Sequence, residues 1–367
     1  MYLSDCKLLS LYYAGFEKST AKSLCEFEKK FIPFSSNVLS YLPDVSIASI
    51  LINLIHFFIL TRKPMRTSSI NILMAAIALF DILASLQQIE LLLDRYSYIF
   101  FDCYPTYTYG LELTKVLLDV VRDYSRRCST WLIVFIAFIR TLIVRNPMST
   151  KFEALCQPKA SAIIIAGICA TSFPVSVLKF LEYQFIEIEG LESCAKGPHH
   201  IFAVSDLFTA NDGFLAKYFY LFNSFVSDIV PCILLPIVTL LLVMDLWRAA
   251  KKRTNLISVS KNHNSRTGLV FCVTIMFFIV EFPYGLSMGF VWMYNDVLGL
   301  QHMMSRFAFM FAMLITLNTC THLFVCLIIS SHYRSTAIYV FSCGYINSKN
   351  TIASRTQVTS SSQSKTL

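Results

Sequence analysis

Five charged residues, Asp119, Arg122, Asp123, Arg126 and Arg127, interrupt one long apolar run, Val116–Val144, in its first half. Arg122 and Arg126 stand four apart and share a face of a helix; Asp123 and Arg127 share the adjacent face as an ion pair. Two guanidinium forks on one face suit the carboxylate of a bound ligand. The same arginines can instead be neutralised internally by Asp119, Asp123, Glu90 or Glu281. Further polar residues stand alone in apolar surroundings: Asn53, Asp81, Ser129, Glu281, Asn318 and His322. Asn318 and His322 are four apart, again one face. Asp81, Asn53, Ser129, Asn318 and His322 form one expected polar cluster, either a static network that aligns helices or a switch. Arg140 closes the run that began at Val116. Ile139 precedes it where an acid could have neutralised it, and Pro147 follows seven residues later.

These side chains need a scaffold that keeps them from lipid. Of 367 residues, 55% are hydrophobic and 15% charged, against about 25% charged in soluble domains. The apolar residues come in blocks, and about 20 suffice to cross a bilayer as a helix. Seven blocks qualify: Val45–Leu60, Ile70–Leu93, Val116–Val144, Ala160–Leu181, Tyr218–Trp247, Gly268–Met293 and Phe307–Ile329. Backbone groups in lipid must bond within their own segment, so each block reads as a helix. The expected fold is an all-α bundle of seven membrane helices. A charged side chain at a helix centre costs about 2.5–3.5 kcal/mol to insert, so the polar residues above are expected to face the bundle interior or a wet cavity. Pro231, Pro236 and Pro283 are expected to bend their helices, as pivots or as fixed kinks.

Lysine and arginine set the orientation. Arg62, Lys63 and Arg66 fill the first connection, and Arg145, Lys151 and Lys159 the third. Arg248, Lys251, Lys252, Arg253, Lys261 and Arg266 fill the fifth. Glu182, Glu187, Glu189, Glu192, Asp206 and Asp212 lie between the fourth and fifth blocks. The N-terminus is therefore expected outside the cell and the C-terminus in the cytosol, in the plasma membrane. The net charge of +8 describes a cytosolic face that suits anionic membrane lipid; no nucleic-acid module accompanies it. Met1–Ser10 lacks the basic start and long apolar core of a signal peptide, so the first block is expected to target the chain.

Residues 1–40 read as an extracellular segment and 41–330 as the bundle. Residues 331–345 read as a short amphipathic helix on the membrane surface, and 346–367 as a disordered Ser/Thr-rich tail. Cys343 follows that short helix as a palmitoylation candidate or a free thiol. No nucleophile–base spacing stands out among the seven scattered histidines, so no enzyme is expected. A transporter or channel using Asp81, Glu281 and His322 is the alternative to a receptor. The chain has only 11 glycines and lacks paired Gly-Pro breaks, which speaks against transport.

The blocks also carry motifs. Asn53 stands in the first. INILMAAIALFD (Ile70–Asp81) ends in a lone aspartate. RRCSTWLIVFIAFIRTLIVRNPM (Arg126–Met148) is the most specific stretch. IVPCILLP (Ile229–Pro236), FFIVEFPYG (Phe277–Gly285) and LNTCTHLFVCLIISSHYR (Leu317–Arg334) follow. On these residues the chain resembles rhodopsin-like G-protein-coupled receptors over nearly all of 42–340. Within them it resembles the nematode chemoreceptors called serpentine receptor class W, relatives of FMRFamide-type peptide receptors.

The resemblance implies a receptor for an extracellular peptide or small molecule that signals to a heterotrimeric G protein. It implies that Arg140, Pro147 and Met148 serve G-protein coupling. It implies ligand contact by Arg122, Arg126, Glu281 and Tyr284, a disulfide between Cys103 and Cys194, and a sodium site at Asp81, Ser129 and Asn318. Sodium would be an allosteric modulator; no other cofactor is expected. Cys6 and Cys25 are candidates for a second bridge, among three connectivities open to four cysteines. Three departures stand out. Ile139 and Thr141 flank Arg140 in place of an acid and an aromatic residue. His322, Leu323 and Cys326 replace the NPxxY residues. Val280, Glu281 and Phe282 replace CWxP, leaving Glu281 as a polar trigger. His322 near Asp81 implies a pH-sensitive displacement of the ion.

Overall fold

A computed structural model describes residues 12–90, 92, 108–146, 154–188, 198–254, 262–294 and 296–342. Cys6, Cys103, Pro147, Met148, Cys194, Cys343 and the tail 346–367 lie outside the described residues, as do the expectations attached to them.

The described residues are mostly helical. In order come α1 (Lys18–Leu39), α2 (Leu42–Leu60), α3 (Ser69–Ser85), α4 (Tyr109–Arg145) and α5 (Pro158–Leu181). A hairpin of β1 (Tyr183–Ile188) and β2 (His199–Val204) follows. Then come α6 (Asp206–Ser224), a π-helical turn (Phe225–Ile229), α7 (Val230–Thr254), α8 (Asn262–Met293), α9 (Leu298–Ile329) and α10 (Ser331–Phe341). Seven of the resulting helical segments are long and apolar enough to cross a membrane. They form a closed ring. α9 packs on α2, α2 on α3, α3 on α4 and α5, α4 on α7, α7 on α8, and α8 back on α9.

α4 is the strut of the ring. Its 37 residues make a rod of about 55 Å at 1.5 Å per residue, well beyond a hydrocarbon core of about 30 Å. One helix therefore carries the charged group around Arg126 and, roughly 21 Å farther along, Arg140. Its middle is held by apolar packing: Cys128, Leu132, Ile136 and Ile139 are buried against Leu73 and Ile77 of α3 and Ile168 of α5. On the other side Val134 meets Cys232, Leu235 and Phe277 of α7 and α8. Large apolar side chains such as Leu51, Phe58, Phe173, Ile237 and Phe324 point outward, the reverse of a soluble protein and the requirement of a lipid-facing surface.

Helices α7 and α8 continue through Pro236 and Pro283. A proline inside a helix removes one backbone bond and clashes with the preceding turn, so each marks a bend. The π-turn before Pro231 widens the helix where Ser227 and Asp228 turn inward; such turns concentrate at functional positions.

Two features lie beyond the seven expected spans. Within residues 1–40, read as an extracellular segment, Lys18–Leu39 forms a helix. α1 docks on the first turns of α9. Phe31 stacks on Phe307 with ring centres 4.4 Å apart. Buried Glu28 accepts from the Tyr13 hydroxyl at 2.6 Å and faces His302 Nδ1 at 3.0 Å. Arg306 donates to Ser36 Oγ at 2.8 Å. Gly299 permits the approach of Tyr13, whose ring atoms would lie 2.5 Å from a Cβ there. Cys25 is disulfide-bonded. The second feature is the β1–β2 hairpin, antiparallel from Tyr183↔Val204 to Ile188↔His199. It lies against the start of α4 through Tyr109, which meets Phe185 and His200 edge-on.

α10 forms where a short surface helix is expected. Ser330 caps it by accepting from the Tyr333 amide at 3.1 Å, a cap worth about 1 kcal/mol. Tyr333 and Ala337 are buried against Ile59, Leu60 and Met65, and Tyr333 Oη meets buried His56 Nδ1 at 2.7 Å. Ile338 and Phe341 face outward.

Candidate functional site

A cavity of about 60 Å³ opens inside the ring, lined by Asp81, Arg126, Ser129, Glu281, Asn318 and His322 among others. That volume holds several waters. Three helices bring polar groups to its floor. Ser129 of α4 donates to Asp81 Oδ1 of α3 at 2.7 Å. His322 Nε2 of α9 stands 4.0 Å from Asp81 Oδ2, and that oxygen is buried without a hydrogen-bond partner. The expected polar cluster therefore includes Asp81, Ser129, Asn318 and His322 but not Asn53. Asn53 donates instead to Ser49 O at 3.0 Å and to Thr319 Oγ1 at 3.4 Å, on the contact between α2 and α9. Its amide nitrogen bonds within its own helix turn, while its Oδ1 is buried without a hydrogen-bond partner among the described residues.

Asp81 Oδ2 is a buried acceptor left open, and Ser129 and Asn318 line the same cavity; carboxylate, hydroxyl and amide oxygens are the donor types a hard cation takes, so these are the residues that would hold the sodium ion the resemblance implies.

Above this floor the arginines of α4 are all engaged. Arg122 pairs with Asp119 at 3.1 Å and donates to Gln87 Oε1 of the α3 side. Asp119 also holds Lys179 of α5 at 3.4 Å and accepts from Tyr183 at 2.7 Å. Lys179 in turn pairs with Glu182 at 2.8 Å. Arg127 is fully buried and uses its whole fork. Nε donates to Ser227 at 2.8 Å. Nη1 donates to Ser172 O at 3.0 Å and Ser176 at 3.2 Å. Nη2 donates to Asn223 at 2.9 Å and pairs with Asp123. Three helices meet on one guanidinium, which only a planar five-donor group can achieve.

Arg126 lies deepest. Its Nη2 contacts Glu281 of α8 at 2.9 Å and Asp228 of the π-turn at 3.6 Å. Its guanidinium carbon sits 4.0 Å over the Tyr284 ring, a cation–π contact that gains strength away from water. Glu281 is thus tied to α4 through Arg126. Gly285 lets the backbone of α8 close on this site, since a Cβ there would come within 2.7 Å of Asp228 Cβ. Sequence reading had passed over Asp228 and Lys179. Asp228 was legible, because a carboxylate inside the apolar run Tyr218–Trp247 calls for a partner as much as Glu281 does.

At the far end of α4, the end that carries the basic connections, Arg140 is half-buried. It has no hydrogen bond or ion pair with any described residue. Its neighbours do not restrain it: Ile139 is buried in the α3–α4 core, and Thr141 bonds back to Ala137 O at 2.9 Å. One turn on, Arg145 pairs with Asp245 of α7 at 3.1 Å.

The family model described as "Serpentine type 7TM GPCR chemoreceptor Srw" matches residues 40–344. The chain is also 25% identical over 137 residues to the "FMRFamide peptide receptor frpr-18" of Caenorhabditis elegans, a match covering 37% of this chain and 31% of that relative. The family match does not favour the transporter alternative. The seven helices, the polar cavity and the family match together place the chain in the serpentine Srw family of seven-helix G-protein-coupled receptors.

Proposed function

We propose that the protein sits in the plasma membrane with residues 1–40 and the hairpin outside, and passes an extracellular ligand signal to a heterotrimeric G protein. The observation that carries this reading is the contrast along α4. Arg122, Arg126 and Arg127 are all paired, whereas Arg140, at the opposite end, makes no hydrogen bond or ion pair with any described residue. A buried charge left unpaired costs free energy unless a partner supplies the missing contacts. The G protein is that partner, with Pro147, Met148 and the basic stretch Arg248–Arg266 completing the surface. The ligand reaches the cavity from the hairpin end, where Arg122, Arg126, Glu281 and Tyr284 converge. A ligand acts only by binding one arrangement of the helices better than the other. The two prolines Pro236 and Pro283 give α7 and α8 the bends about which such arrangements differ. Asp81, Ser129 and Asn318 would hold a sodium ion, whose charge would favour the resting arrangement. FMRFamide-like peptides and small environmental chemicals are the two ligand classes to test first.

A G-protein activation assay in cells with confirmed surface expression tests this reading. FMRFamide-like peptides and small organic acids form the panel. Activation by a panel member that Arg140→Ala abolishes supports the reading; activation untouched by Arg140→Ala contradicts the role given to Arg140.

A further inference from the structure

Two strong metal-binding side chains face each other at the floor of the central cavity. Asp81 comes from α3 and His322 from α9, with Oδ2 and Nε2 4.0 Å apart. That is too far for a hydrogen bond. The two side chains keep only 5% and 13% of their exposure, so bulk water does not reach them freely. Asp81 Oδ2 is buried without a hydrogen-bond partner among the described residues. Its other oxygen is already taken, by Ser129 at 2.7 Å. Arg122 and Arg126 line the same cavity, but Asp119 engages the first, and Glu281 and Asp228 the second. Among the described residues neither guanidinium pairs with Asp81.

We infer that Asp81 and His322 form a site for a divalent transition-metal ion that accepts imidazole nitrogen, with zinc as the ion to test. The donor chemistry selects this class. Magnesium and calcium take oxygen donors, whereas imidazole suits zinc and its neighbours. The spacing is near what zinc needs. Bonds of about 2.0–2.1 Å at a tetrahedral angle put the two donor atoms roughly 3.4 Å apart. From the observed 4.0 Å the side chains must close by about 0.6 Å, a shift within reach of small side-chain rotations. The cavity of about 60 Å³ has room for the ion and for waters that complete its coordination.

Two protein donors make an exchangeable site; a structural zinc takes four. Asp81 would serve sodium and zinc alike, so the two ions exclude each other, and the nitrogen of His322 sets the preference between them. Zinc held by both residues ties α9 to α3 through the middle of the bundle. The site stands on the cavity itself and does not depend on the receptor reading.

The test uses the purified full-length protein in detergent, without a histidine tag, in sodium-free and chelator-free buffer. Thermal unfolding is one readout and the visible spectrum of added Co²⁺ the other. At about ten times its Kd, Zn²⁺ should raise Tm by roughly 2–4 °C, and Mg²⁺ should leave it unchanged. Co²⁺, which accepts the same ligands, should absorb well above its aqua ion, as loss of octahedral water coordination requires. His322→Asn and Asp81→Asn should each remove both signals. His199→Ala/His200→Ala, which deletes the adjacent histidines of β2, should keep both. Equal effects of Zn²⁺ and Mg²⁺, or signals that survive His322→Asn and Asp81→Asn, would overturn the inference. So would signals lost in the His199→Ala/His200→Ala variant, which would put the ion on the hairpin. A wild type that shows neither signal overturns it even where a variant fails to fold.

Discussion

Replacing Arg127 by methionine should be the most damaging single change in the bundle that leaves the cavity floor untouched. Methionine keeps most of the aliphatic volume and removes every donor. The wild-type side chain donates to Ser227, Ser172, Ser176 and Asn223 and pairs with Asp123. Removing one member of a buried pair costs about 3–5 kcal/mol, because the other charge stays behind. Asp123 retains 22% exposure, so water softens the loss and the lower end of that range applies. At roughly 2–4 °C per kcal/mol for domains of 150–250 residues, and somewhat less for a longer chain, Tm should fall by about 5–10 °C. The assay is thermal unfolding of the purified receptor, with Arg127→Met, Arg127→Lys and the double variant Asp123→Asn/Arg127→Met. Lysine keeps the charge but has three donors on one nitrogen, so it should lie between wild type and methionine. The double variant should recover part of the loss, since no charge is stranded. A methionine variant that melts within a degree of wild type would refute the idea that this guanidinium holds α4, α5 and the α6–α7 junction together.

Three other outcomes follow from named contacts. Tyr333→Phe strands the imidazole of buried His56, whose other nitrogen already lacks a partner; a loss of about 1–3 kcal/mol should appear as a lower Tm and faster proteolysis after α9. Tyr13, outside the membrane spans, has its phenol pushed up from an ordinary 10.0 by burial and then by Glu28. The folded state therefore keeps a proton that the undocked segment loses, so docking is at full strength below about pH 10 and weakens as pH rises above it. Limited proteolysis between α1 and the bundle should increase there, and Tyr13→Phe should remove the tyrosine-dependent part of that rise. Asp81→Asn should abolish any sodium-dependent rise in Tm, because it removes the charge from the unpartnered oxygen; a sodium effect that persists in this variant would place the ion elsewhere.

The seven spans were legible because lipid imposes a length and an apolar content that composition alone reveals. The Asp123–Arg127 pair followed from helical spacing, and the meeting of Asp81, Ser129 and His322 from the cost of isolated polar groups in lipid. What escaped was long-range. Glu28 looked like one charge among many in a mixed segment. Its burial depends on Tyr13 and on His302, 274 residues away. His56 is likewise explained only by Tyr333, 277 residues away. Local spacing has no access to such pairs. Asn53 failed for the opposite reason, since its amide nitrogen bonds within its own turn. The hairpin was hidden because its strands are short and joined by residues of no single pattern.

The central claim is our proposal that Arg140, a charge with no partner among the described residues, is the group through which the protein meets a G protein. The most direct measurement is nucleotide exchange on purified heterotrimeric G proteins of several classes, mixed with wild-type receptor or Arg140→Ala in lipid nanodiscs. Both forms must first show equal Tm. Exchange accelerated by wild type with at least one class, and lost in Arg140→Ala, is the predicted result. Exchange that Arg140→Ala supports as well as wild type, or a wild type that accelerates none of the classes, would contradict it.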